Sequence, residues 1–170
     1  TYFNPVIKIG EQVAEPYMLH YGVKYKEAVE RVIQMFEAVG IPHPKERVDD
    51  YPHQFSGGMR QRVGIARILT LGSRVLLMDE PFASVDAQTR MTLQEELTKI
   101  WQARRPTILF ITHDVPESVF LADRVVVLSK GRVLEDMPIQ LQRPRVWDQL
   151  IEDDTFKGLS AQVLSKVRSA

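Results

Sequence analysis

A chain of 170 residues is long enough for one domain with a real core and a small subdomain. Its 22 lysines and arginines balance 22 aspartates and glutamates, so no global field recruits nucleic acid or an anionic membrane. Zero cysteines exclude disulfides, thiolate metal sites and cysteine nucleophiles, while apolar runs of a handful of residues fall far short of the ~20 needed to span a bilayer. The opening Thr1-Tyr2-Phe3-Asn4-Pro5 has neither a charged n-region nor an apolar h-region, so no secretory leader is read there. The expectation is a soluble polypeptide whose membrane contact comes only through partners.

Residues 6–40 read as helical. Between Lys24 and Val39 the apolar set Val29, Val32, Ile33, Phe36 and Val39 recurs at helical spacing, as on a surface helix packing its stripe. Gly40 suits the position just past a helix end, and Pro42 forbids continuation. Pro42, Pro44 and Pro52 make residues 41–52 a connector with at most a short helix. His20, His43 and His53 have no companion at metal-ligand spacing and read as surface or loop histidines. Ser56 is a good N-cap for a helix over residues 57–71, which ends before Gly72. From Arg74 onward strands are expected at 75–78, 107–112 and 125–128, with helices at 88–102 and 116–122. That alternation means βαβ units and a parallel sheet with right-handed crossovers. Residues 132–136 can add a short strand after the Lys130-Gly131 turn. Beyond Arg143-Pro144-Arg145 lies an amphipathic tail with Trp147, Leu150, Ile151, Phe156, Leu159, Val163 and Leu164, expected to pack on the domain or on a partner.

Two stretches carry the chemistry. In Phe55–Arg62 a polar turn with Gly57-Gly58 opens a helix, and its free N–H groups and positive end make an anion site. Two glycines at a helix start cost stability unless a backbone must approach something closely. Val75-Leu76-Leu77-Met78-Asp79-Glu80 is an apolar run closed by two carboxylates, the pattern of a strand buried on both faces of a parallel sheet. Asp79 and His113 then fall at the carboxyl ends of two strands, on the sheet edge where α/β folds seat ligands. An anion-seeking turn with a Mg2+-capable acid pair suggests phosphate chemistry. Taken singly, each feature has a plainer account: a well-capped helix, a solvated Asp-Glu-Pro turn, a capping or core histidine at 113, and an Asp86 that merely N-caps the helix from Gln88. Met59, Met78, Met91 and Met137 form no cofactor box and read as gap-filling. Arg60, Arg62 and Arg67 read as a solvated face.

Ser56-Gly57-Gly58 within Phe55–Arg62 resembles the signature motif of ABC-type ATPases. Val75–Glu80 resembles their Walker B strand, Ala83-Ser84-Val85-Asp86 the D-loop, and Thr112-His113-Asp114 the switch histidine. Four motifs in that order make a highly specific match, and the resemblance covers nearly the whole chain. It implies an α/β fold of the P-loop NTPase type, a parallel sheet with a helical subdomain. Residues 1–55 would be the helical subdomain that meets a transmembrane partner, 56–142 the signature helix and the Walker B, D-loop and switch part of the core, and 143–170 a C-terminal helical tail. It implies ATP and Mg2+ as cofactors: Asp79 on the metal, Glu80 orienting and deprotonating the attacking water, His113 on the γ-phosphate. Ser56, Gly57, Gly58, Met59 and Asp86 would serve a nucleotide across a dimer. Met59 replaces the glutamine of the commonest signature and leaves the serine and glycine roles intact. The implied partners are a second nucleotide-binding subunit and transmembrane permease subunits, with this chain cytoplasmic at the inner face of the membrane.

No Gly-x-x-x-x-Gly-Lys-Ser/Thr occurs in the chain. In the family, Asn4-Pro5 would lie just downstream of the Q-loop glutamine, so the chain resembles the back portion of a nucleotide-binding domain, without a strong ATP site of its own. Up to about Tyr51 it resembles oligopeptide and dipeptide importer ATPases. From Asp79-Glu80-Pro81-Phe82 through Leu121-Ala122-Asp123-Arg124 it resembles the nitrate, sulfonate and taurine importer group. Two functions follow from the resemblance: the ATP-hydrolysing subunit of an importer, or a non-catalytic module that donates its signature face or helical subdomain to a partner. A DNA-repair or chromosome-structural ATPase is disfavoured, since neither a long heptad arm nor a basic stripe is present.

Overall fold

The computed structural model describes residues 3–169; Thr1, Tyr2 and Ala170, at the outer ends of the first and last predicted segments, lie outside it. The described residues form two compact units. One runs through Leu76 and includes Pro81–Ile108; the other comprises Leu77–Glu80 and the residues from Leu109 on.

In the first unit, helices α1 (Ile9–Tyr21), α2 (Tyr25–Ala38), α4 (Gly57–Thr70) and α5 (Ala87–Arg104) are linked by the short α3 (Pro44–Arg47) and a 3-10 turn at Pro52–Gln54. The helical stretch expected over residues 6–40 consists of two helices. Gly22 adopts a left-handed conformation (φ 68) and its amide closes α1 on the Met18 carbonyl, so α2 has to start afresh at Tyr25. Helices α1, α2 and α4 pack on one another and bury Ile9, Val13, Val32, Phe36, Val63 and Ala66. Each large aliphatic or aromatic side chain so buried contributes about 1.5–3 kcal/mol. The arginines of α4 are not a simple solvated face. Arg60 donates to the Phe55 carbonyl at 3.0 Å, and Arg62 donates to the Gly40 carbonyl and pairs with Glu96, both at 2.8 Å. A guanidinium's several donors satisfy loop carbonyls that a lysine would reach singly.

Strands β1 (Val75–Asp79) and β2 (Thr107–Ile111) are hydrogen-bonded neighbours. The Thr107 amide donates to Arg74 at one end and the Glu80 amide to Ile111 at the other, at 2.8 and 2.9 Å, so the strands run in the same direction. Residues of β1 alternate sharply: Leu76 and Met78 are 2% and 3% exposed, Val75 and Leu77 56% and 69%. Burial on both faces, expected from the apolar run, is therefore not observed; one face is bare.

The second unit holds α6 (Val115–Leu121), β3 (Arg124–Ser129), β4 (Arg132–Pro138), α7 (Trp147–Leu150) and α8 (Asp154–Arg168). β3, expected as a third parallel strand, pairs antiparallel with β4 from Arg124↔Pro138 to Ser129↔Arg132. The reason is the connection: Lys130 (φ 48) and Gly131 (φ 75) make a two-residue turn, and only antiparallel strands can be joined so tightly. Helix α8 packs on α6 and β3, and Trp147 stacks on Phe120 with ring centres 4.2 Å apart.

Arg145, read above only as part of the entry to the tail, is 3% exposed. Its Nη1 donates to the carbonyls of Val119, Phe120 and Ala122, and its Nη2 to that of Leu141. It thus satisfies the orphan carbonyls at the end of α6 from inside the unit. Burial, with the neighbouring Arg143 charge, pulls its pKa down to about 10, opposed by Asp123. Arg145→Met would leave these carbonyls without a donor and should destabilise the unit by about 3 kcal/mol. Urea unfolding followed by Trp147 fluorescence measures this; a loss under about 1 kcal/mol would mean that the carbonyls find water instead.

Candidate functional site

The carboxyl ends of β1 and β2 bring the first group of predicted residues together. After Asp79 the chain turns sharply. Glu80 takes a left-handed conformation (φ 45), held by its amide bond to the Ile111 carbonyl. A non-glycine residue there carries strain of about 1–3 kcal/mol, which the surrounding structure must offset. The result is a 2.6 Å contact between the Glu80 Oε1 and the Nδ1 of His113.

His113 is presented by its neighbours. The Thr112 hydroxyl donates to the Glu117 carboxylate and accepts from the Asp114 amide at 3.0 Å, while Asp114 Oδ1 caps α6 by accepting from the Glu117 amide at 3.0 Å. Thr112 and Asp114 therefore lock the loop, and the imidazole between them stands out, its side chain 78% exposed. The hydrogen bond to Glu80, then the Glu80 charge, raise the His113 pKa. Asp79 ends β1 exposed, and among the described residues its side chain makes no hydrogen bond or ion pair. So Asp79, Glu80 and His113 share one strand edge, a free carboxylate next to a carboxylate–imidazole pair.

The second group lies at the start of α4 and α5, in the first unit. Ser56 caps α4 by accepting from the Met59 amide at 3.3 Å, and Asp86 caps α5 by accepting from the Thr89 amide at 2.9 Å. The hydrogen bonds from Thr89 hold the Asp86 carboxyl below its ordinary range. Ser56, Gly57, Gly58 and Met59 face Ser84, Val85 and Asp86 across an open cleft of about 440 Å3. The two glycines differ. A Cβ on Gly58 would meet the Thr89 methyl at 2.8 Å, whereas one on Gly57 would meet nothing within 4 Å. Gly58 is thus required by the packing of α4 on α5, a close approach inside the chain. The fold itself leaves Gly57 unexplained. Neither Thr89 nor the Thr112–Glu117 lock was found from the sequence. A Thr three residues after an N-cap Asp was the available signal for the first.

Comparison with known proteins gives the family and the fold. The ABC transporter family profile matches residues 2–83. An uncharacterized ABC transporter ATP-binding protein of Methanocaldococcus jannaschii is 49% identical over 126 residues, 73% of this chain and 46% of its own length. The nitrate import ATP-binding protein NrtD of Synechococcus elongatus is 44% identical over 131 residues (75% and 47%), and the oligopeptide transport ATP-binding protein OppD of Bacillus subtilis 33% over 172 (98% and 48%). A solved dimeric ATP-binding cassette in a post-hydrolysis state, bound to ADP and Pi, superposes with a TM-score of 0.68 at 24% identity, covering 82% of this chain and 60% of that one. The fold is accordingly that of an ABC ATPase cassette. The chain belongs to the ABC transporter ATP-binding family and spans about half the length of the curated relatives it matches.

Two outcomes follow from the geometry. The imidazole of His113 should titrate above the ordinary histidine value of about 6.5 in an NMR pH series, and Glu80→Gln should bring it back. Because the folded-state pKa is the raised one, the stabilisation from this pair is complete below that ordinary value and is lost as pH climbs through the raised one. An unshifted midpoint in the unmodified chain would show that the pair does not persist in solution. Separately, Gly58→Ala should cost about 1–3 kcal/mol by overpacking, while Gly57→Ala should leave stability unchanged or raise it by under about 1 kcal/mol. Thermal melts of the two variants decide, and equal losses would remove the distinction.

Proposed function

We propose that this chain is the signature and Walker B part of the ATP-binding subunit of an ABC importer, which hydrolyses ATP at a dimer interface to drive a small solute across the membrane. The observation that carries the reading is the Glu80–His113 pair at 2.6 Å, set beside the free Asp79 at the carboxyl end of β1. In this reading Glu80 accepts the proton of the attacking water, and His113, its Nδ1 engaged by Glu80, keeps Nε2 for the γ-phosphate. Asp79 would hold Mg2+, which supplies charge neutralisation at the phosphates. Among the described residues no set of three or more His, Asp or Glu could hold a metal. The donor set still fits Mg2+, which takes one or two carboxylates and completes its shell with phosphate oxygens and waters. Ser56, Gly57, Gly58, Met59 and Asp86 would serve the nucleotide of a second nucleotide-binding subunit. The unexplained Gly57 supports this, since its open surroundings are those of a backbone kept bare for a ligand.

The bare strand face supports the partial-domain part of the reading. Val75, Leu77, Leu109 and Ile111 are all more than half exposed on strands of a fold whose parallel sheets are covered on both sides. A chain spanning about half of its relatives leaves that cover to the rest of the domain. Residues 1–55 are the part proposed to meet the permease, and no helix among the described residues is long and apolar enough to cross a membrane. The second reading, a non-catalytic module, is favoured only if the chain by itself captures no nucleotide and its completed form hydrolyses none.

In a domain completed with the Walker A half of a relative, Glu80→Gln should lower turnover by about 10²–10⁴-fold while ATP-driven dimerisation persists. Hydrolysis near the parent rate in that variant would reject Glu80 as the base. Gly57→Ala in the same background should abolish turnover without lowering the melting temperature. Equilibrium binding of labelled Mg-ATP to the 170-residue chain should be absent at micromolar levels; binding there would mean an autonomous site instead.

A further inference from the structure

A second charged cleft lies in the first unit, at the amino ends of β1 and β2. It measures about 400 Å3 and is lined by Gly72, Ser73, Arg74, Arg104, Arg105 and Pro106, among others. Arg31 of α2 borders it, with Nη2 3.9 Å from the position a Cβ on Gly72 would take.

Three arginines thus line one opening and a fourth borders it, and among the described residues none of the four makes an ion pair. Arg31 has only a long contact, 3.5 Å, from Nε to the Thr70 carbonyl. Arg104 directs Nη1 at the Met35 sulfur, 3.1 Å away, a weak acceptor and a poor substitute for a carboxylate. Desolvation, then the Arg31 charge, lower the Arg104 pKa, and no acid opposes them. Arg105 stands in a left-handed conformation (φ 52) at the end of α5, its guanidinium 4.2 Å over the Trp101 ring, and the Trp101 indole donates to the Pro106 carbonyl at 3.1 Å. These bonds fix the rim.

The simplest alternative is that the arginines answer the negative ends of α4 and α5, which terminate here. Two helix ends carry about half a negative charge each, against four positive charges. That leaves most of the charge uncompensated. A guanidinium fork matches the tetrahedral oxygens of a phosphoryl group in geometry as well as charge.

We infer that this cleft binds a small phosphate-bearing anion through Arg31, Arg74, Arg104 and Arg105, a site separate from the strand-end carboxylates and from the glycine tip of α4. Trp101 is its built-in reporter, since the chain has only two tryptophans and the other, Trp147, belongs to the core of the second unit.

Pyrophosphate is titrated at low salt into the isotope-labelled chain and the two indole N–H signals are followed. The Trp101 signal should move saturably while Trp147 stays, and the affinity should fall steeply with added salt. Arg74→Gln with Arg104→Gln should weaken binding at least about tenfold, the loss expected for removing one or two charge-assisted contacts. If that double variant fails to fold, the single exposed Arg74→Gln should still weaken it measurably. No saturable shift up to tens of millimolar, unchanged affinity in a folded variant, or shifts confined to the Gly57 and Gly58 amides would overturn the site. Equal affinity for citrate would overturn its phosphate character.

Discussion

The amide of Glu80 donates to the carbonyl of Ile111, and much of the candidate chemistry hangs from that bond. It is the last rung of the β1–β2 pairing and lies one step beyond the strand itself. Because of it, Glu80 turns into a left-handed conformation instead of continuing the pleat. A continuing strand would send successive side chains to opposite faces, and Asp79 and Glu80 could not serve one edge. The turn sets the two adjacent carboxylates apart: among the described residues Asp79 has no side-chain partner, while Glu80 meets an imidazole brought by the neighbouring strand. The backbone strain at Glu80 is small beside the cooperative pairing that enforces it.

The imidazole owes its position to residues with no chemical task of their own. Thr112 and Asp114 use their side chains on the loop and on the first turn of α6, with the Glu117 carboxylate closing the circuit. His113, between them, is the only member of the triplet whose side chain is left to the exterior. Three consecutive polar residues therefore divide into two whose side chains bond within the loop and one whose side chain stands exposed beside Glu80. A similar division separates Gly58, needed by the contact with Thr89, from Gly57, which the fold does not need. Adjacent glycines in a motif have no reason to share one explanation.

Two uses of arginine stand out in the molecule. Arg60 and Arg62 satisfy loop carbonyls around α4, and Arg145 does the same for the end of α6 from a buried position. Arg31, Arg74, Arg104 and Arg105 gather without acids. Composition, with equal numbers of both signs, hides this unevenness entirely. Net charge reports on the far field, whereas binding answers to charges within a Debye length of one another.

Local sequence determined a good deal. Ser56 and Asp86 announced helix starts through their capping chemistry, Lys130-Gly131 announced a tight turn, and the apolar period of α2 announced its buried stripe, because each of these depends on residues only a few positions apart. Tertiary structure alone decided which strands pair, that one face of β1 lies bare, that Gly58 is a packing glycine, and that Arg145 is buried under carbonyls. The β1–β2 pairing, the Gly58 contact and the helix-end carbonyls on Arg145 turn on partners more than twenty residues away, and the bare face on cover that a strand's own sequence cannot report. An apolar run states that its residues would gain from burial; only the assembled chain shows which of them obtain it.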